Sequence, residues 1–333
     1  MVYIYKKKSG EKNYYYLRAS QKKGKKTIVK DIAYLGTTIE EVEQAIIKLP
    51  KWEKEIRKAY HTINNFLKSN HYKEKAKKEK RKKDEYLEQD LLLEIEATKI
   101  HFQSVFKKKN TLTQKETIKI FTIEFAFNTT SLEGNTIKLQ EAKILLEEGL
   151  TPKNKTLREV YDLQNTEEVL VEVISDKEDL SHEKIQDIHL KLMKNIDERK
   201  GYRREEVRVF KSNFDASPAP YVKTDMDLLL KWYNENKKKL HPLILAGIFH
   251  HKFEKIHPFM DGNGRTGRML LNKILLLNEY PPLIIRKKER KGYIQALREA
   301  DKSNPLERER KNYASLNQFL GKELISSYWD IFL

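Results

Sequence analysis

The 333-residue chain contains no cysteine. Disulfide frameworks, thiol nucleophiles and cysteine-ligated zinc are therefore excluded. No apolar stretch approaches the roughly 18 residues that a membrane helix needs. The start, Met-Val-Tyr-Ile-Tyr followed by three lysines, lacks the apolar core of a signal peptide. These two absences predict a cytoplasmic protein with no membrane partner. Glycine and proline are sparse, at 12 and 9 residues, so their clusters serve as markers of breaks between elements. There is no Gly-x4-Gly-Lys-Ser/Thr phosphate loop, and no repeat with a period of about 20 to 50 residues.

What the chain has is charge. Lysine and arginine total 66 against 49 aspartate and glutamate, a net +17, with 35% of residues charged and 39% hydrophobic. The length suits about two domains. Surplus lysine and arginine can displace phosphate counterions, so the basic N-terminal half leaves nucleic acid open as a partner. The densest run, residues 73–83, has eight basic residues and two glutamates. A solvated helix surface or connector is the plain reading of such a run, and nucleic acid or an acidic protein is the alternative.

Residues 1–35 are rich in tyrosine, isoleucine, valine and threonine. They are interrupted at 8–12 and 21–26 by turn-forming residues, a pattern that predicts three short strands in a meander. Tyr34-Leu35-Gly36 then leads into an amphipathic helix, with Thr38 as its cap and Glu41 three residues on. This small β-rich module is expected to span 1–50 and to close at Pro50. A helical, basic connector is expected over 51–110 and the main domain over 111–333. Apolar residues recur at three and four from about 51 to 200, with breaks near Asn110, Gly134, Gly149 and Asp176. The fold is therefore predicted to be mainly α, a helical bundle. Residues 201–221, with Val207, Val209 and a turn-rich end, are expected to form a short hairpin or flap.

Chemistry concentrates in His257-Pro258-Phe259-Met260-Asp261-Gly262-Asn263-Gly264-Arg265-Thr266-Gly267-Arg268, between two strongly helical patterns. Glycines flanking an asparagine let backbone N–H groups approach a ligand closely, and a helix starting there aims more donors outward. That geometry suits phosphate. Arg265 and Arg268, three apart, can hold separate phosphates. Asp261 offers an oxygen to magnesium, and His257 can take a proton near neutral pH. The Gly-x-Gly-x-x-Gly spacing of 262–267 does not follow an apolar strand, which argues against a dinucleotide fold. His250, Glu254 and His257 have helical spacing for a metal, but Pro258 predicts that the helix ends by His257 and favours a structural role for His250.

These residues match every specified position of His-x-Phe-x-Asp/Glu-Gly-Asn-Gly-Arg-x-x-Arg, the signature of the Fic proteins. Chance agreement at eight positions is on the order of 10^-10 per window. The resemblance extends over about 117–301. It implies a Fic-type helical bundle with a short β-hairpin flap, preceded here by the β-rich module. The activity implied is transfer of AMP from ATP to a tyrosine, threonine or serine hydroxyl of a protein, with release of pyrophosphate. His257 would be the base and Asp261 the magnesium ligand. Gly262, Asn263 and Gly264 would form the anion hole, while Arg265 and Arg268 would bind phosphates. Phe259 would anchor the loop in the core. A lysine at position 264 accompanies phosphate transfer in the Doc branch, so Gly264 implies AMP transfer. Gly201, Tyr202, Arg203, Val207 and Val209 resemble the target-binding flap, and Asn272 and Tyr293 the lining of the adenosine pocket.

Thr129-Thr130-Ser131-Leu132-Glu133-Gly134 is similar to the family's inhibitory motif, with Glu133 expected to occupy Arg268 and block the γ-phosphate. Three matters stay open at this level. The same site serves AMP removal or transfer of another phosphate-containing group; a non-catalytic nucleic-acid-associated regulator is a separate reading; and the target, which includes the chain itself, and the formation of homo-oligomers are undetermined.

Overall fold

The structure is a computed structural model that describes residues 2–10, 12–23, 26–79, 85–207, 216–302 and 310–333. The chain divides into two compact units, residues 1–81 and 82–332.

In the first unit β1 (Val2–Ser9), β2 (Lys12–Lys23) and β3 (Lys26–Gly36) form an antiparallel sheet in the order β1-β2-β3, the expected meander. Alternation along the strands turns Val2, Ile4, Tyr15 and Leu17 to one face. Three helices, α1 (Ile39–Ile47), α2 (Glu53–Lys58) and α3 (Tyr60–Lys78), follow the sheet. Ile39 and Val42 of α1 and Ile63 and Leu67 of α3 close the core over that face. Thr38 caps α1 by accepting from Glu41 N at 3.2 Å. The Glu41 carboxylate returns to Thr37 N at 2.6 Å, one residue before the cap. Gly36, at φ 122°, makes room for that side chain, since a Cβ there would collide with Glu41 Cβ. The basic run continues α3 as far as Lys78, and its residues 80–83 lie outside the described residues.

The second unit is a helical bundle of α4 (Gln89–Ser104), α5 (Thr111–Leu132), α6 (Leu139–Glu148), α7 (Leu157–Ser175), α8 (His182–Leu192), α9 (Val222–Asn236), α10 (Pro242–Ile256), α11 (Asn263–Leu277), α12 (Arg290–Ala300) and α13 (Arg310–Ile331). The breaks fall where turn chemistry placed them. Asn110 caps α5 by accepting from Thr113 N at 2.9 Å, and Gly149 ends α6 in the left-handed region at φ 72°. Both α10 and α11 are buried on nearly every side, which makes this pair the centre of the unit. They approach so closely that a Cβ on Gly267 would lie 2.6 Å from Glu254 Oε1 and 3.1 Å from the Phe253 ring. Phe102, Phe106, Tyr328 and Phe332 stack into an aromatic cluster that fastens α13 to α4.

Residues 201–207 run irregularly, and Ala219–Tyr221 form a 3-10 turn. The middle of the expected flap, 208–215 with Val209, lies outside the described residues. Among the described residues no helix is long and apolar enough to cross a membrane.

Gly36 tests the module's junction. Alanine there forces both the backbone strain and the Glu41 collision, and is expected to lower the unit's unfolding free energy by about 1–3 kcal/mol. Urea melts read the effect, and an unchanged midpoint would show that Glu41 can step aside.

Candidate active site

The site is the turn that joins α10 to α11. His257 closes α10 in the left-handed region, at φ 50°, with its N–H still donating to Phe253 O at 2.9 Å. A non-glycine residue in this conformation needs support. Arg203 supplies it. Its guanidinium is buried and donates from Nε to His257 O at 2.8 Å, from Nη2 to Ile256 O at 3.3 Å, and from Nη2 to Ser217 O. The Arg203 N–H donates to Pro258 O at 2.8 Å. The Arg203 side chain, in the stretch that resembles the flap, thus points inward and satisfies the last carbonyls of α10.

The His257 ring is half-buried, and Nδ1 makes a long hydrogen bond, 3.4 Å, to Glu254 O. A carbonyl can only accept, so Nδ1 carries the proton and Nε2 is left basic. Burial holds the imidazole pKa below its ordinary value of 6.5, so the ring is neutral at pH 7.

Phe259 is fully buried and stacks on His189 with ring centroids 3.6 Å apart. The Asn263 side chain clasps the backbone of Phe259 from both sides, accepting from its N–H at 2.8 Å and donating to its C=O at 2.7 Å. Oδ1 and one Nδ2 proton of the amide expected in the anion hole are thereby committed to the loop itself. His189, whose pKa burial depresses to about 4, donates from Nε2 to Asp261 O at 2.9 Å. Nothing in the motif announces His189.

Gly262, at φ 75°, is the N-cap of α11, whose first N–H groups have no partner inside the helix. Asp261 Oδ1 accepts from Gly262 N at 2.6 Å and lies 3.5 Å from Arg265 Nη2, while Oδ2 is bound by Arg158 of α7. Burial opposes the Asp261 charge, but Arg265 and Arg158 outweigh it and hold the carboxyl below its usual range. Arg265 is almost wholly buried and pairs with Asp162, also of α7. Arg158 and Asp162 are four apart on one helix face, a spacing that was available in the sequence but had no partner to point to.

Arg268 is also buried. It donates from Nε to Thr129 Oγ1, and from Nη2 to Thr129 O at 3.1 Å and Glu133 Oε1 at 2.6 Å. Glu133 caps the C-terminus of α5. Desolvation works against its charge, yet Arg268 and then Arg265 keep its pKa below the ordinary range. Its carboxylate also lies directly over the first turn of α11, where a Cβ on Gly264 would collide with Oε1. His257, Asp261, Gly262, Gly264, Arg265, Arg268 and Glu133 therefore converge.

Asn272 and Tyr293 stand deeper. Asn272 accepts from Leu283 N at 2.7 Å and donates to Leu283 O at 3.1 Å, and the Tyr293 hydroxyl meets His250 Nε2 at 2.5 Å. Both are buried. Asn272 lines a narrow crevice with Arg268, Phe125, Leu271 and Ile285. On the other side of the loop, Met260, Asp261, His189, Gly201, Tyr202 and Arg204 line an open cleft of about 690 Å³. Tyr202 is held by His182 Nδ1 at 2.9 Å, and Val207 is half-buried. Among the described residues no cluster of three or more histidine, aspartate or glutamate side chains could hold a metal unaided.

The loop thus closes one helix on a neutral histidine and opens the next on N–H groups that lack partners inside the helix, beside two buried arginines. Residues 179–275 match the family model described as Fic/DOC, and the chain carries a Fic domain. It is 29% identical over 213 residues to Protein adenylyltransferase fic-1 of Caenorhabditis elegans, covering 61% of this chain and 42% of that protein. Identity to Protein adenylyltransferase Fic of Nematostella vectensis is 29% over 221 residues, 65% of this chain and 51% of the relative. The chain thus spans about half or less of the length of these two relatives. A Fic domain containing signaling protein from Bacteroides thetaiotaomicron shares the fold with a TM-score of 0.64 at 25% identity, over 70% of this chain and 94% of its own.

Glu254 sits between α10 and α11 with Oε1 lacking a hydrogen-bond partner, and burial raises its pKa to about 7. A carboxyl whose folded pKa exceeds the ordinary 4.5 weakens the fold as pH rises through that window. Glu254→Gln is therefore expected to stabilise the protein more at pH 8 than at pH 5, by roughly 2–3 kcal/mol. Denaturant melts at both values read the difference, and equal effects would mean that the carboxyl ionises freely in the folded state.

Proposed function

We propose that the chain is a self-inhibited protein adenylyltransferase, moving AMP from ATP to a serine, threonine or tyrosine hydroxyl of a protein. The observation that carries this reading is the Glu133 carboxylate, seated on Arg268 and over the start of α11, where an anionic phosphate would otherwise lie. The names of its relatives support the same reaction.

In this reading the triphosphate takes the N–H groups at the start of α11 together with Arg265 and Arg268. The hydroxyl enters from the cleft beside Met260 and Asp261. His257 Nε2 takes its proton as the oxygen bonds to the α-phosphorus, and the bond to pyrophosphate breaks. Asp261 fits a magnesium ion as a single carboxylate donor, since that ion takes most of its ligands from phosphates and water, and bound there it would neutralise phosphate charge. Arg158 would have to release Oδ2 first. Gly201, Tyr202 and Val207 border the path of a target segment, with Val209 in the same stretch, while Arg203 acts by holding the His257 peptide. Asn272 and Tyr293 would shape the floor beneath the nucleotide. The same Glu133, lying beside the phosphate site, could instead orient a water that removes AMP from a modified protein.

Three outcomes test the proposal. With labelled ATP and magnesium, Glu133→Gly should raise label in protein, on the chain or on an added lysate, by about tenfold or more, the worth of one charge-assisted hydrogen bond. His257→Ala in that background should abolish it. Unchanged incorporation in Glu133→Gly would remove the brake, and label released only as free AMP would favour AMP removal. Because burial lowers the His257 pKa, the base stays neutral to more acid pH than an ordinary histidine. The rate of Glu133→Gly should therefore be flat from pH 8 to 7 and reach half its plateau below 6.5. A midpoint above 6.5 would contradict the burial of the ring.

A further inference from the structure

The first unit holds 22 basic residues against 9 acidic ones, so 13 of the 17 surplus charges lie within residues 1–81. Its sheet gives that charge a surface. Register sets Tyr3 opposite Arg18, Tyr5 opposite Tyr16, Lys7 opposite Tyr14, and Tyr16 opposite Tyr34. Residues paired across strands share a face, and this face is the one turned away from Val2, Ile4, Tyr15 and Leu17. Five tyrosines therefore share one side of a three-stranded sheet with Lys7, Lys22 and Arg18. Tyr34 is 54% exposed, its ring 5.4 Å from that of Tyr16, and the Arg18 guanidinium lies 3.3 Å above the Tyr5 ring. Of the two acidic residues in 1–36, Glu11 and Asp31, the second is already paired with Arg18.

We propose that this tyrosine-lined sheet face is a binding site for single-stranded nucleic acid. Aromatic rings on an open sheet stack with unpaired bases, and lysines around them take the phosphates. An acidic peptide would use the lysines and leave the ring faces unmatched. A duplex would present phosphates but keep its base faces stacked inside. The site lies wholly within the first unit and is independent of the phosphate loop.

Fluorescence anisotropy with labelled oligothymidine of about 15 nucleotides, using the full chain, tests it. Affinity should fall steeply with salt. Replacing Tyr16 and Tyr34 together by serine should weaken binding on the order of tenfold or more with the salt slope kept. Replacing both by phenylalanine, which retains the rings and guards against a folding artefact, should leave binding as in the parent. Lys7→Gln with Lys22→Gln should flatten the salt slope, and His257→Ala should bind like the parent, separating this site from the transferase reading. No binding at about 0.1 M salt, equal binding of heparin or blunt duplex, or indifference to the serine pair would each overturn the proposal.

Discussion

The pairing of Glu133 with Arg268 is the interaction on which the rest of the site turns. Arg268 is removed from water while the Glu133 side chain keeps 33% of its surface exposed, so loss of the carboxylate leaves the guanidinium to bear the cost of its own desolvation. Arg268 is held on its other side by Thr129, so it does not leave when the carboxylate does. What remains is a buried guanidinium short of an acceptor, at the start of a helix whose dipole also favours negative charge. In the proposed reading, the contact that keeps the pocket filled is also what makes it receptive to an anion. Gly264 is the steric counterpart, since only the absence of a side chain there lets the carboxylate come so near.

The loop itself is fixed in advance. Arg203 secures the bend at His257, Asn263 clasps Phe259, and His189 both stacks on Phe259 and binds Asp261 O. These contacts hold the backbone on both sides of the loop in place. Such preorganisation is what lets hydrogen-bond donors act on developing charge without first being gathered.

Much of this was legible in the sequence, for definable reasons. Helix breaks at Asn110, Gly149 and Asp176, and the strand meander, depend on local backbone chemistry that a few neighbouring residues determine. The 257–268 motif is legible on the same ground, because its glycines and arginines act within two helix turns. Partners that arrive from distant segments were not. Arg158, Asp162 and His189 meet the loop only through the packing of α7 and α8 against α11, and no spacing within the motif points to them. Side-chain contacts with the local backbone were equally out of reach of the sequence. Arg203 and the Asn263 amide are engaged with backbone, and Glu41 reaches back to Thr37 N. The stretch 51–110, read as one connector, is divided between the two units, with α2 and α3 in the first and α4 in the second.

The close packing of α10 on α11 at Gly267 has a further consequence. With the two helices pressed together there and Phe259 filling the interior of the turn, the span from His257 to Gly262 has a single length that closes it. Insertions and deletions should therefore be tolerated in the exposed connection after Gly149 and rejected between 257 and 262. Change at this junction can proceed by exchange of residues, at constant length, and scarcely by any other route.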